Sequence, residues 1–183
     1  MPVAKKLEKE TEILDGVKVE IKGDEILVTG GEIKLKREFR HPRIRVLVEK
    51  GRVLVTCNYP SKEDMALMGT TISHIRNMIM GVTEGFEYKM KIVYSHFPIK
   101  ASVRKEQSEF VVENFLGERN PRVAKILGDT EININGDEVI LTGPDIQSVG
   151  QTAANIEQVT MIKGYDPRVF QDGIYITQKR REA

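Results

Sequence analysis

Apolar and polar residues alternate along much of this chain. Positions 17–21 and 44–48 place valine or isoleucine at every second residue, with mostly charged residues between them. A period of two predicts antiparallel strands with one buried face. The turn formers Gly23-Asp24, Gly30-Gly31 and Gly136-Asp137 separate such segments, as expected for β-hairpins.

Two segments change to helical spacing. Ser61 precedes the first, acidic residues follow it, and apolar residues then recur every three or four positions up to Gly81. This predicts a helix with Ser61 as its N-cap. The second segment opens at Pro144-Asp145 and repeats the apolar spacing through Ile156. The pattern therefore predicts one helix late in each half.

An internal duplication explains this order. The stretches KGDEILVTGG (22–31) and NGDEVILTGP (135–144) are 113 positions apart, but that shift carries the first helix into residues where no helix fits. A shift of 81 instead aligns Gly69 with Gly150 and Ile75 with Ile156. We predict a period of 81 to 86 residues, with the two GDE hairpins at non-equivalent positions.

The predicted fold class is α+β, with two tandem related units that each contain an antiparallel β-sheet and one helix packed across it. The shift of 81 also places Val93-Tyr94 on Ile174-Tyr175, which predicts a strand after each helix. The first unit is predicted at 1–97 with a short N-terminal tail. The second is predicted at 98–183 with a basic C-terminal tail.

Composition bounds the function. A chain of 183 residues without tryptophan suits two small units with aliphatic cores. The single cysteine, Cys57, excludes an internal disulfide, fits a reducing cytoplasm and lies on an alternating strand, where we expect a buried structural thiol. No apolar run is long enough to span a bilayer, so we expect no membrane partner.

No constellation of enzyme residues is recognisable. His41, His74 and His96 are scattered, and none has a cysteine or second histidine at metal-ligand spacing. Phosphate-binding glycine loops and a GxSxG nucleophile motif are absent from the sequence. We therefore predict no catalytic residue, metal site, cofactor or small-molecule substrate.

Basic residues cluster in three stretches. The first, at 33–46, is either a solvated strand face that blocks strand pairing or a phosphate-contacting strip; it contains Lys34, Lys36, Arg37, Arg40, Arg43 and Arg45. The second, at 117–126, is either an RNA-contacting loop or an ordinary one; it contains Arg119, Asn120, Arg122 and Lys125.

The third stretch, at 163–183, interleaves basic and aromatic residues: Lys163, Tyr165, Arg168, Phe170, Tyr175, Lys179, Arg180 and Arg181. Basic groups bind phosphates, and aromatic rings stack on unpaired bases. We expect Asp172-Gly173 to form a tight turn here. The alternative is a final strand with a basic tail.

Four segments in this order resemble one known family. They are GGEIKLKREFRHP, MGTTISHIRNMIMGVTEGFEYKM, VGQTAANIEQVT and RVFQDGIYITQK. Together they resemble the family of large ribosomal subunit protein six, in its archaeal and eukaryotic branch, from about residue 14 to residue 179. Bacterial members carry a glycine- and lysine-rich loop in place of the last segment.

The resemblance implies a non-enzymatic, structural role in the large ribosomal subunit of the cytoplasm. Family members bind domain VI of the large-subunit rRNA close to the sarcin–ricin loop, mainly through the second unit, near the stalk base and the docking site of translational GTPases. The implied partners are this rRNA, neighbouring large-subunit proteins and, nearby, those GTPases. The implied rRNA-binding residues are Lys163, Tyr165, Arg168, Phe170, Asp172, Gly173, Tyr175 and Lys179 to Arg181, with Gln151 and Asn155 of the second helix as secondary contacts.

The charge of the chain departs from this family picture. The formal net charge is only +1, and residues 98–183 contain more acidic than basic side chains. This favours a few local contacts with RNA over a broad electrostatic footprint. A ribosome-associated protein-interaction or assembly module without direct RNA contact is the alternative function.

Overall fold

The computed structural model describes residues 6–166 and 168–181, apart from the side chains of Arg180 and Arg181. The chain divides between Glu84 and Gly85 into two compact units, and each unit has an apolar core of its own. The predicted α+β class with two tandem related units is confirmed.

The first unit contains two three-stranded antiparallel sheets and one helix. The strand orders are β1–β6–β5 and β2–β3–β4. In chain order the elements are β1 (Lys6–Glu12), β2 (Val17–Lys22), β3 (Glu25–Gly30), β4 (Ile33–Glu38), β5 (Ile44–Glu49), β6 (Arg52–Asn58) and α1 (Lys62–Thr83).

Helix α1 begins where the sequence predicted. The Ser61 hydroxyl accepts the N–H of Asp64, and the Asp64 carboxylate accepts the N–H of Ser61 at 2.8 Å, which forms a capping box. The buried face of the helix includes Met68 and Ile75, and it packs on a core that also contains Cys57 of β6. The expectation of a buried structural thiol is therefore confirmed.

The second unit has the same order with one strand more. Its sheets run β10–β9–β8 and β11–β12–β7–β13, with 3-10 turns at Lys105–Gln107 and Phe115–Gly117. Its elements are β7 (Phe86–Val93), β8 (Lys100–Arg104), β9 (Glu109–Glu113), β10 (Arg122–Lys125), β11 (Glu131–Asn135), β12 (Glu138–Gly143), α2 (Ile146–Val159) and β13 (Gly173–Arg181).

The duplicated elements can be matched by their hydrogen bonds. The N–H of Ile13, after β1, donates to Gly51 O at 2.9 Å, and the N–H of Ile92 in β7 donates to Asp137 O at 2.7 Å. Gly51 lies in the turn before β6, which pairs with β1, and Asp137 lies in the turn before β12, which pairs with β7. Strand β7 is therefore the counterpart of β1, and β13 has no counterpart among the described residues of the first unit.

The buried faces of the two helices support the shift of 81. Met68, Thr71 and Ile75 are buried in α1, and the residues 81 positions later, Val149, Thr152 and Ile156, are buried in α2. The GDE hairpins belong to β2–β3 in the first unit and β11–β12 in the second, whose counterpart is β5–β6. Their predicted non-equivalence is confirmed.

Strand β7 does not close the first unit, although its sequence suggested that role. It pairs with β12 and β13 inside the second unit, so the observed division at 84/85 lies before the boundary predicted between 97 and 98. The match of Val93 with Ile174 arose because both strands alternate and both follow a helix. In the structure these two strands are neighbours, with Ile174 opposite Ile92.

Candidate RNA-binding loop

The segment between α2 and β13, residues 160–172, contains five of the ten main rRNA-binding candidates and is called the closing loop. The hydroxyl of Thr160 donates to Ile156 O at 3.2 Å and accepts the N–H of Ile174 at 3.1 Å. Both Thr160 and Ile174 are buried. The end of the helix is thereby joined to the start of the strand, and the loop leaves and re-enters the core at one place.

Asp172 anchors the far end of the closing loop. Its side chain is only 1% exposed. One carboxylate oxygen accepts the N–H of Ser95 at 2.8 Å, and the other lies 3.2 Å from Nδ1 of His96. Because a carboxylate only accepts, Nδ1 carries the hydrogen of this contact. A buried carboxylate needs such partners, so we assign Asp172 a structural role in positioning the loop.

Three rings stack outward from this anchor. The ring centroids of His96 and Phe170 are 4.5 Å apart with the planes 22° apart, and those of Phe170 and Tyr165 are 4.7 Å apart at 48°. Tyr165 is 57% exposed and forms the outer end of this ring cluster, which consists of His96, Phe170 and Tyr165. The orientation of the Tyr165 ring is set by its packing on Phe170, and its exposed face can stack on a flat ligand.

A short turn shapes the loop around the ring cluster. The N–H groups of Val169 and Phe170 donate to Asp166 O at 3.1 and 3.0 Å, and the N–H of Arg168 donates to the Asp166 side chain at 2.9 Å. This turn directs the chain back over Tyr165. The aspartate that shapes the turn is thus Asp166, six positions before the one that the sequence suggested.

The tight turn predicted at Asp172-Gly173 is wrong. Asp172 is a loop residue outside any turn, and Gly173 is the first residue of β13. Glycine leaves room here for the ring of Tyr175, since a Cβ at this position would lie 3.0 Å from that ring. The ring of Tyr175 lies over Gly173, and its hydroxyl donates to Gln171 O at 3.2 Å.

The basic side chains of the closing loop are exposed in the part of the chain that the structure describes. Lys163 and Arg168 are exposed, and neither has an ion-pair partner in residues 6–166 and 168–181. Farther along β13, Lys179 lies 6.0 Å from the ring of Tyr88. The side chains of Arg180 and Arg181 lie outside the described residues. Within the described residues, two cations without an ion pair are therefore close in the chain to an exposed tyrosine, a combination that suits unpaired nucleotides.

The second basic stretch splits into two kinds of residue. Arg122 is committed to the fold: its guanidinium binds Glu118 at 2.6 and 2.8 Å, donates to Val159 O at 2.7 Å and lies 4.3 Å from the Phe115 ring centre. The hydrogen bond from Arg122 lowers the pKa of Glu118. By contrast, the other candidates of this stretch are exposed, namely Arg119, Asn120 and Lys125.

The two polar candidates of α2 bind each other. Gln151 Nε2 donates to Asn155 Oδ1 at 3.0 Å, and Asn155 Nδ2 donates to Lys125 O at 3.0 Å. Asn155 therefore joins the helix to the end of β10. Gln151 is exposed and keeps its carbonyl oxygen on the surface.

The first basic stretch, at 33–46, forms ion pairs within the first unit. Lys36 lies 2.6 Å from Glu25, and this hydrogen-bonded contact raises the pKa of Lys36. Arg40 lies 3.6 Å from Asp24 and Arg43 lies 3.1 Å from Asp64. These pairs favour the charged-surface interpretation of the stretch, because three of its six cations already bind carboxylates.

No group of three or more metal-ligating side chains occurs among the described residues. Within the same residues, no helix combines the length and apolar character needed to cross a membrane.

The fold and the loop define a duplicated α+β protein that presents cationic and aromatic side chains on a fixed framework. The sequence model of one family, Ribosomal protein L6, matches residues 13–85 and 97–173. The chain belongs to this family, for which rRNA binding is general, and the predicted resemblance is confirmed.

Several archaeal proteins are similar over nearly their whole length. Large ribosomal subunit protein uL6 of Methanococcus vannielii is 48% identical over 179 residues, which cover 98% of this chain and 97% of that protein. The uL6 proteins of Methanobrevibacter smithii and Methanosarcina mazei are 48% and 47% identical, with at least 97% of this chain and 99% of each relative covered.

Proposed function

We propose that this chain is a structural protein of the large ribosomal subunit in the cytoplasm, and that its second unit binds large-subunit rRNA through the closing loop. Membership of the ribosomal protein L6 family supports the first part. The observation that supports the second part is that the closing loop exposes Lys163, Tyr165 and Arg168 together, and that neither cation forms an ion pair within the described residues.

The roles of the residues follow from their geometry. Lys163 and Arg168 contact phosphates, while Tyr165 stacks on an unpaired base. Phe170, Asp172 and Gly173 act indirectly, because they hold the ring cluster and the start of β13 in place. Further phosphate contacts come from Tyr175, Lys179, Arg180, Arg181, Arg119, Asn120, Lys125 and Gln151.

The RNA target is the finer part of the proposal. We propose domain VI near the sarcin–ricin loop, close to the stalk base and the docking site of translational GTPases. The near-neutral charge of the chain supports a small number of contacts, and hence a local and structured target. Neighbouring large-subunit proteins complete the proposed set of partners.

Filter binding of the full chain to a domain VI fragment tests the proposal. Lys163→Ala and Arg168→Ala should each weaken binding, and each should reduce the slope of log affinity against log salt by about one. The matched control is Lys36→Ala, because Lys36 is exposed but already paired with Glu25. Equal affinities and slopes for all three variants would contradict the assignment of the loop.

Co-sedimentation separates this function from its alternative. A core protein should remain with the large subunit in high salt, whereas an assembly or interaction module without RNA contact should be released. Release of the wild-type chain together with unchanged filter binding of the variants would favour the alternative.

A further inference from the structure

One edge of strand β1 has no pairing strand among the described residues, whereas the same edge of its counterpart β7 pairs with β13. Strand β7 pairs with β12 on one side and with β13 on the other. Its counterpart β1 pairs with β6, and no second strand pairs with β1 within the described ranges. The described part of the first unit therefore lacks the strand that completes this sheet in the second unit.

The backbone of β1 is oriented for an added strand. Ile13 donates its N–H to Gly51 of the turn before β6. Because backbone hydrogen bonds alternate along an antiparallel pair, Glu8, Glu10 and Glu12 direct their N–H and C=O groups away from β6. Such a row of unpaired groups is a template for pairing with another extended chain.

A groove of about 540 Å³ lies between β1 and α1, next to this edge. Its apolar lining consists of Leu14, Ile72, Ile79 and Met80. By the shift of 81, Ile79 corresponds to Thr160, whose hydroxyl accepts the N–H of the fully buried Ile174. The second unit thus shows what such a groove receives, namely an apolar side chain of the added strand.

The side chains at the edge define the rest of the occupant. Glu8, Glu10 and Glu12 face outward on one side of the sheet, where the outward side chains of an added strand would lie directly across from them. Each of these glutamates has an ion-pair partner within the protein, Glu8 with Lys6 and both Glu10 and Glu12 with Arg52, while Arg76 lines the groove. Because Glu10 and Glu12 share one cation, the row still offers a carboxylate to a lysine or arginine of an added strand.

We infer that the β1 edge takes up an extended basic segment of a neighbouring protein by strand addition. The segment places apolar residues opposite Ile13 and Thr11, at the groove, and lysine or arginine opposite Glu10 or Glu8. Strand β13 has a related pattern, since Ile174 and Ile176 precede QKRR. This inference does not depend on RNA binding by the closing loop.

A peptide with the sequence of residues 173–181, GIYITQKRR, tests the inference against the full chain. In the expected result the peptide binds saturably and slows amide hydrogen exchange at Glu8, Glu10 and Glu12. A peptide with Ile174→Asp should not bind, because aspartate cannot enter an apolar groove without loss of its hydration.

Charge reversal at the edge supplies the matched control. In the second unit, Arg180 of β13 lies opposite Glu87 of β7. The counterpart of Glu87 in β1 is Glu8, so in the same register the corresponding arginine of the peptide lies opposite Glu8. Glu8→Lys should therefore weaken peptide binding about fivefold. Glu20→Lys, on the edge strand β2 of the other sheet, should leave the affinity unchanged. Equal losses in the two variants would contradict the position of the site.

Two other outcomes overturn the inference. One is unchanged exchange at the three glutamate amides with about 1 mM peptide present, a concentration at which even weak strand addition is populated. The other is a change in exchange at Glu87, Lys89 and Lys91 alone, which would show that the peptide exchanges with the chain's own β13.

Discussion

The carboxylate of Asp172 lies 3.2 Å from Nδ1 of His96, although 76 residues separate them in the sequence. The same carboxylate accepts the backbone N–H of Ser95. One buried group therefore joins the closing loop to the segment after β7, and Phe170 stacks on the histidine that this contact positions. The exposed ring of Tyr165 therefore packs on a ring that a buried contact positions.

Removal of this anchor should destabilise the second unit. Asp172→Ala deletes both hydrogen bonds and should lower the free energy of unfolding by about 2 kcal/mol. Asp172→Asn keeps one acceptor for Ser95 and should cost less. Chemical denaturation measures both, with Asp129→Ala at an exposed loop position as the control. A similar midpoint for Asp172→Ala and Asp129→Ala would remove Asp172 from its anchoring role.

Tyr165 should contribute to RNA affinity and not to folding. Tyr165→Ala removes a stacking surface, so binding to the domain VI fragment should weaken by about 1–3 kcal/mol, with little change in the melting temperature. Tyr165→Phe keeps the ring and should bind almost as the wild type does. Tyr94→Ala is the control, because Tyr94 is also exposed. Equal losses at the two tyrosines would argue against stacking at Tyr165.

The two arginines of the second basic stretch should behave differently. Arg122→Ala removes the bonds to Glu118 and Val159 and the contact with Phe115, so the free energy of unfolding should fall by about 2 kcal/mol. Arg119→Ala should change stability by less than about 0.5 kcal/mol and should weaken RNA binding instead. Thermal unfolding and filter binding on the same samples separate the effects. The reverse pattern would contradict this division.

Protonation of the Asp64 carboxylate should make the first unit less stable in acid. The pKa of Asp64 is lowered mainly by its hydrogen bonds with Ser61, and to a smaller extent by the positive charges of Arg43 and His41. Since the folded carboxylate takes up a proton less readily than the unfolded one, its stabilisation is complete above the ordinary aspartate pKa. It is lost as the pH falls through the lowered value.

Denaturation of the wild type and Asp64→Asn across the acid range checks this. The stability gap should be largest at neutral pH and should close towards low pH. Asp15→Asn, at an exposed turn position, is the control. A gap that stays constant with pH would mean that the Asp64 charge contributes nothing.

Local sequence signals predicted the elements well and the division of the chain less well. Alternation located the hairpins and apolar spacing located both helices, because these patterns depend on nearby residues alone. The partner of β7 depends on residues more than 40 positions away, in β12 and β13. Nothing in the alternation of β7 itself distinguishes a strand that closes one sheet from a strand that begins the next.

The exposed residues of the candidate site carried a signal in the sequence, and the residues that support them did not. Lys163, Tyr165 and Arg168 were visible as a basic and aromatic stretch. His96 carried no such signal, because its stacking on Phe170 and its contact with Asp172 arise only when β7 and β13 pair. Arg122 was included with the RNA-binding candidates because composition cannot show that a guanidinium is already occupied.

The division between Glu84 and Gly85 has a practical consequence for fragments of this chain. A piece that begins at residue 98 would lack β7, the strand between β12 and β13, and would expose the faces that Met90 and Ile92 normally cover. A piece that begins at residue 85 would keep that sheet whole. When RNA or protein partners are mapped with separate halves of the chain, the second half should therefore begin at Gly85 and not at residue 98.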